Sequence, residues 1–129
     1  MENSKKIVIE DFENKVNLSI RLFDAEKGLD FVEKVAKLAR NNEFSIKTLL
    51  DDLLPLVSLL DTHGDKVVKE NLTRQDCYGL FQNPLSIIDL GMEVFEFQMV
   101  FIKNSKAFRP LAKHLENIFN IMTLESETK

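Results

Sequence analysis

Between Leu85 and Ile102 the chain is apolar at nearly every position, and Ser86, Asp89, Glu93 and Glu96 fall at steps of three, four and three. On a helix that spacing gathers the polar residues into one narrow stripe and leaves the remaining surface hydrophobic. Such a helix has to be wrapped from several sides, by its own chain or by a partner. Asn83 and Pro84 precede it as a cap and a first-turn proline. Nearer the N-terminus the period changes. Val16, Leu18, Ile20 and Leu22 alternate with Asn17, Ser19 and Arg21, the pattern of a strand buried on one face. Ile7 to Ile9 can pair with it across a turn at Asp11 to Lys15. A lone hairpin is marginal in water, so it is expected to lie on the helices or to extend a sheet in a neighbouring subunit, with its exposed edge as an assembly surface.

Helical periods fill the middle of the chain. Asp24 caps a helix in which Leu29, Val32, Val35, Ala36 and Ala39 form a seam, ending near Asn41 and Asn42. Ser45 caps a second helix, where Ile46, Leu49, Leu50, Leu53, Val57 and Leu60 share a face widened by Leu54, Leu56 and Leu59. Pro55 removes a ladder hydrogen bond and predicts a kink or a break into two short helices, with Gly64 as terminator. Thr73 and Asp76 have the spacing of a capping box for a short helix to about Gln82. A last helix is expected from Pro110, with Leu111, Leu115, Ile118, Phe119 and Met122 on one side. The whole reads as a mainly α fold: a single helical domain with a short N-terminal β-hairpin over 1–124, and a tail over 125–129. Within it Ile88, Val94, Phe95 and Phe97 are expected among the most buried residues. Gly91 costs its helix about 1 kcal/mol relative to alanine, which predicts close approach of another helix there.

Composition narrows the function classes. At 129 residues and 44% hydrophobic the chain suits one core, and a net charge of -4 with a pI near 5.2 argues against nucleic-acid binding. Asp89, Glu93 and Glu96 would each cost about 2.5 to 3.5 kcal/mol inside a bilayer, so the apolar helix is expected to be buried in protein. The N-terminus lacks the pattern of a secretory signal, and the single cysteine, Cys77, suits a reducing cytoplasm.

Candidate chemistry is sparse. Asp61, His63 and Asp65 carry hard and borderline metal donors, but their spacing matches no zinc or calcium motif, and Gly64 explains them as a polar turn. Cys77 falls in the first turns of a short helix, where the macrodipole favours a thiolate, yet no histidine is near in sequence. Asp51 and Asp52 point about 100° apart on a helix and read as a solvated face. His114 falls on the polar side of the last helix. The four glycines are scattered and make no phosphate-cradling loop. Neither an enzyme nor a cofactor is indicated. The apolar excess of Leu49 to Leu60 and Leu85 to Ile102 points instead to a partner, with Leu53, Leu56, Leu60, Met92, Phe95 and Met99 as candidate partner-binding residues.

Three segments together resemble the tail assembly chaperones of long-tailed bacteriophages: Leu22 to Leu38 with Phe23 and Gly28, the Leu49 to Leu60 run, and Asn83 to Ile102. The likeness is one of pattern over about 100 residues. It implies a non-enzymatic, self-associating protein of the host cytoplasm, absent from the mature virion, that binds the tape measure protein and helps to recruit tail tube protein. The alternative reading is a helical homo-oligomeric adaptor or regulator of another protein.

Overall fold

The structure is a computed structural model and describes residues 3–102. Its first element is the expected hairpin. Strand β1 (Ser4–Asp11) pairs antiparallel with β2 (Asn14–Arg21) along their whole length, from Ser4 opposite Arg21 to Asp11 opposite Asn14. Phe12 and Glu13 form the two-residue turn, with Phe12 at φ 57. Ile7, Ile9, Leu18 and Ile20 are buried on one face, while Lys6, Val8, Glu10 and Lys15 are exposed.

Helix α1 (Ala25–Arg40) starts where Asp24 accepts the Lys27 N–H at 2.9 Å, as its sequence predicts. Its buried side is rotated from the expected seam: Phe31, Val35 and Ala36 are buried, whereas Leu29 is 72% exposed. Helix α2 (Ile46–Leu53) is capped by Ser45, which accepts the Thr48 N–H at 3.2 Å. Its stripe Ile46, Leu49, Leu50 and Leu53 is wholly buried.

After Pro55 the expectation of a mainly α fold fails. The chain makes a single 3₁₀ turn over Leu54–Leu56 and becomes strand β3 (Val57–Leu60), which pairs with β2 through Leu18 opposite Leu59 and Ile20 opposite Val57. A turn at Asp61 to Asp65 returns it as β4 (Val67–Lys69). The result is a four-stranded antiparallel sheet in the order β1-β2-β3-β4 with four α-helices among the described residues, a mixed α/β architecture. The physical reason is tertiary. The largely apolar stretch Leu53–Leu60, broken only by Ser58 among its non-proline residues, satisfies helix and strand periods alike, and the ladder of β2 offers the backbone after Pro55 hydrogen bonds that a broken helix cannot. The break at Pro55 is therefore real, but a strand follows it.

Helix α3 (Arg74–Leu80) begins with the reciprocal capping box of Thr73 and Asp76. Helix α4 (Pro84–Ile102) crosses the buried face of the sheet beside α2. Phe95 is fully buried, with ring centroids 6.1 Å from Phe31 and 5.3 Å from Phe44. Val94 is equally buried, whereas Ile88 and Phe97 pack half-buried at the margin of the core. At Gly91 a Cβ would fall 2.6 Å from Ile46 Cγ2 and 2.9 Å from Leu50 Cδ2, so α2 presses on α4 where the glycine leaves room. The helix expected from Pro110, with His114, and the tail 125–129 lie outside the described residues. No helix among those described is long and apolar enough to cross a membrane.

Candidate protein-interaction site

Two polar clamps fix α4 to the hairpin and decide what remains at the surface. At one end Asp11, 1% exposed, continues the inward phase of Ile7 and Ile9. Its carboxylate accepts the N–H groups of Gln82 and Asn83, both at 2.8 Å, and the Ser86 hydroxyl at 3.0 Å. These bonds satisfy donors at the start of α4, and they hold the carboxyl below its ordinary range, the Gln82 N–H contributing most. At the other end Gln98, 3% exposed, accepts the Phe23 N–H at 3.1 Å through Oε1 and donates from Nε2 to the Arg21 carbonyl at 2.9 Å. Ser86 thus leaves the expected solvent stripe of α4 and turns inward.

Neither clamp was read from the sequence. Asp11 was signalled only by its phase, an acid where a strand's alternation asks for another apolar residue. Gln98 lies three and four residues beyond Phe95 and Val94, on the buried side of an apolar helix. A polar residue in that position needs a partner on another element.

Because Asp11 is tied to the backbone of residues 82 and 83, the turn residue Phe12 and the first-turn residue Leu85 come to the same end of the molecule. Both are open to solvent, at 67% and 53%. The φ of 57 at Phe12 is a left-handed conformation that hairpin turns normally assign to glycine or asparagine. An exposed aromatic held there costs the fold conformational energy and returns little burial.

The candidate partner-binding residues fall elsewhere. Leu53, Leu56, Leu60, Phe95 and Met99 are buried within this chain, and Met92 is half-buried against the core. All of these except Leu60 belong to the main core or pack against it; Leu60 is buried outside that cluster.

A cleft of about 640 Å³ opens where the β2–α1 junction faces the end of α2. Leu22, Phe23, Phe31 and Leu56 line it together with Arg21, Lys27, Lys34, Asp24, Asp30, Asp51 and Asp52. Lys34 and Asp52 meet across it at 2.6 Å, and Arg74 takes Asp51 at 2.7 Å, so the adjacent acids are paired to different cations. The mixture of signs gives the cleft no preference for a charged ligand.

In the turn after β3, Asp61 Oδ1 accepts the N–H groups of His63 and Asp65, each at 3.0 Å. The carboxylate closes the turn, and its acidity rises chiefly through the Asp65 N–H. Among the described residues no three His, Cys, Asp or Glu side chains come together as a metal-binding group. Cys77 is fully buried, and its thiol is pushed up to about 11, first by desolvation and then by Asp76, the opposite of what the helix dipole alone suggests. Asp76 is occupied with its own cap and with Lys69, the latter contact being the larger cause of its lowered pKa.

Compared with protein families, with curated proteins and with solved structures, the chain finds no match.

Proposed function

We propose that this chain is a non-enzymatic protein-binding module, and specifically a tail assembly chaperone that holds a tape measure protein and helps to bring tail tube subunits to it in the host cytoplasm. The observation that carries the protein-binding part is Phe12, an exposed aromatic kept in left-handed backbone at the end of the molecule where Leu85 is also exposed. Selection for folding alone would favour glycine or asparagine at that turn, so the aromatic is retained for contact with something outside the chain. A rigid aromatic with an aliphatic neighbour is the usual kind of anchor for an apolar helix face. The resemblance of Leu22 to Leu38, Leu49 to Leu60 and Asn83 to Ile102 to the tail chaperones supplies the client.

The test is co-expression with the product of a neighbouring long, helix-rich reading frame, the form a tape measure gene takes. Soluble yield of that product should rise, and Phe12→Asp with Leu85→Glu should remove the rise while the circular dichroism spectrum stays native. A client equally soluble with and without the chain, or equally well rescued by the double variant, overturns the proposal.

A further inference from the structure

Strand β1 is at one end of the sheet, and among the described residues no strand pairs with its outer edge; the Ser86 hydroxyl reaches the Glu10 carbonyl at 3.4 Å, a long contact to one of that oxygen's two lone pairs. The phase of its hydrogen bonds is settled by the Leu22 N–H, which donates to the Asn3 carbonyl at 3.1 Å, and by the two-residue turn closed by Asp11 and Asn14. Antiparallel pairs alternate between bonded and non-bonded, so the odd residues of β1 bond to β2 and the N–H and C=O groups of Ser4, Lys6, Val8 and Glu10 point to the open edge. On their side-chain face these same residues look away from the core, and Val8 is 52% exposed.

Along this edge the sequence Lys5-Lys6-Ile7-Val8-Ile9-Glu10-Asp11 is basic on one side of Val8, acidic on the other, and apolar between. Such a strand is complementary to itself when reversed. We infer that β1 pairs with β1 of a second copy about a two-fold axis at Val8, joining two four-stranded sheets into one of eight strands. Val8 then faces the partner's Val8, Lys6 faces the partner's Glu10 twice over, and Ile7 faces the partner's Ile9 on the buried side.

The register is dictated on three counts. The groups that point outward belong to even positions, and this pairing matches even with even, giving narrow bonded pairs at Val8 and at both Lys6–Glu10 positions. A slip of one residue would put inward Ile7 opposite outward Val8 and mix the two faces. A slip of two would place Lys6 opposite Val8, or Glu10 opposite Val8, and lose both charge pairs. The other edge does not compete: β4 has three residues, with an irregular pairing to β3 at Leu59 and Leu60. A β1-to-β4 contact would also be head-to-tail and open-ended, whereas β1 on β1 closes as a dimer. Lysines usually guard an exposed strand edge against pairing. Here the glutamate two residues beyond Val8 turns that guard into a selector for the chain itself. The inference is independent of the client named above, since it uses Lys6, Val8 and Glu10 and not Phe12 or Leu85.

Sedimentation equilibrium of the full chain and its charge variants tests it. The wild type should dimerise, and Lys6→Glu and Glu10→Lys should each weaken self-association about tenfold or more, because each turns both cross-strand pairs into like-charge contacts. Mixing the two single variants should restore a dimer, and the double exchange Lys6→Glu/Glu10→Lys should restore the homodimer. As a second reading, Val8→Cys should form an intermolecular disulfide on mild oxidation, since directly opposed residues fall within disulfide reach. A wild type that stays monomeric at high concentration, a dimer indifferent to both single variants, or single variants that do not rescue each other would overturn the inference.

Discussion

Replacing Gly91 with alanine sets two effects of known sign against each other at one atom. Alanine in a helix interior is favoured over glycine by about 1 kcal/mol, and α4 would gain that wherever it had room. At position 91 it has none: the new methyl would stand 2.6 Å from Ile46 Cγ2 and 2.9 Å from Leu50 Cδ2, where carbon atoms prefer about 3.5 to 4.0 Å. The leucine methyl can swing aside. Ile46 Cγ2 cannot, because it branches at Cβ in the first turn of α2, so the helices must part or the side chain must leave its rotamer. Overpacking of this kind costs about 1 to 3 kcal/mol, and with both contacts this short the net result is a loss of about 1 to 2 kcal/mol. Gly79 is the internal control. It is in α3 with nothing within 4 Å of its absent Cβ, so Gly79→Ala should gain about 0.5 kcal/mol, less than the full propensity because the helix ends at Leu80. Thermal and urea unfolding followed by far-ultraviolet circular dichroism would read the pair, with about 3 to 6 °C per kcal/mol expected for a chain of this size. Adding Ile46→Leu, which removes Cγ2, should recover part of the Gly91→Ala loss. A Gly91→Ala variant as stable as the wild type, or shifted in the same direction as Gly79→Ala, would refute the account of how α2 meets α4.

Phe95→Ala removes a fully buried ring from between Phe31 and Phe44 and should cost about 3 to 5 kcal/mol in urea unfolding; a loss under about 1 kcal/mol would mean that the core is centred elsewhere. Cys77, buried and with its thiol raised to about 11, should react with a thiol reagent at neutral pH only as fast as the protein opens, so prompt labelling of the native chain would contradict its placement. Asp11 is more acidic in the folded chain than the ordinary value of 3.8, so it favours folding above that value and ceases to do so as the pH falls through the folded one. Asp11→Asn should therefore be less stable at pH 7 and lose less on acidification below pH 4, whereas parallel curves for the two proteins would show that the clamp is not ionised.

The local elements follow from local chemistry, and the sequence alone determined them. Alternation defines β1 and β2, Asp24 and Ser45 start α1 and α2, Thr73 with Asp76 starts α3, and Pro84 opens α4, each through groups within a few residues of one another. Gly91 likewise announced a close neighbour by its cost alone, though not which residues would fill the space. Pairing across the chain was not legible. Val57–Leu60 is apolar apart from Ser58 and fits a helix face as well as a buried strand; only the ladder of β2, more than thirty residues away, makes it extended, and that turned an expected helical domain into a mixed one. The same holds for the surface. Leu53, Leu56, Leu60, Phe95 and Met99 are apolar enough to bind a partner, but hydrophobicity does not say which covering a side chain receives, and all five are buried by their own chain. What stays outside, Phe12 and Leu85 at one end and the Lys6–Val8–Glu10 edge, was decided when Asp11 and Gln98 fixed α4 to the hairpin. Those bonds join residues more than seventy positions apart, a separation that local sequence pattern does not register.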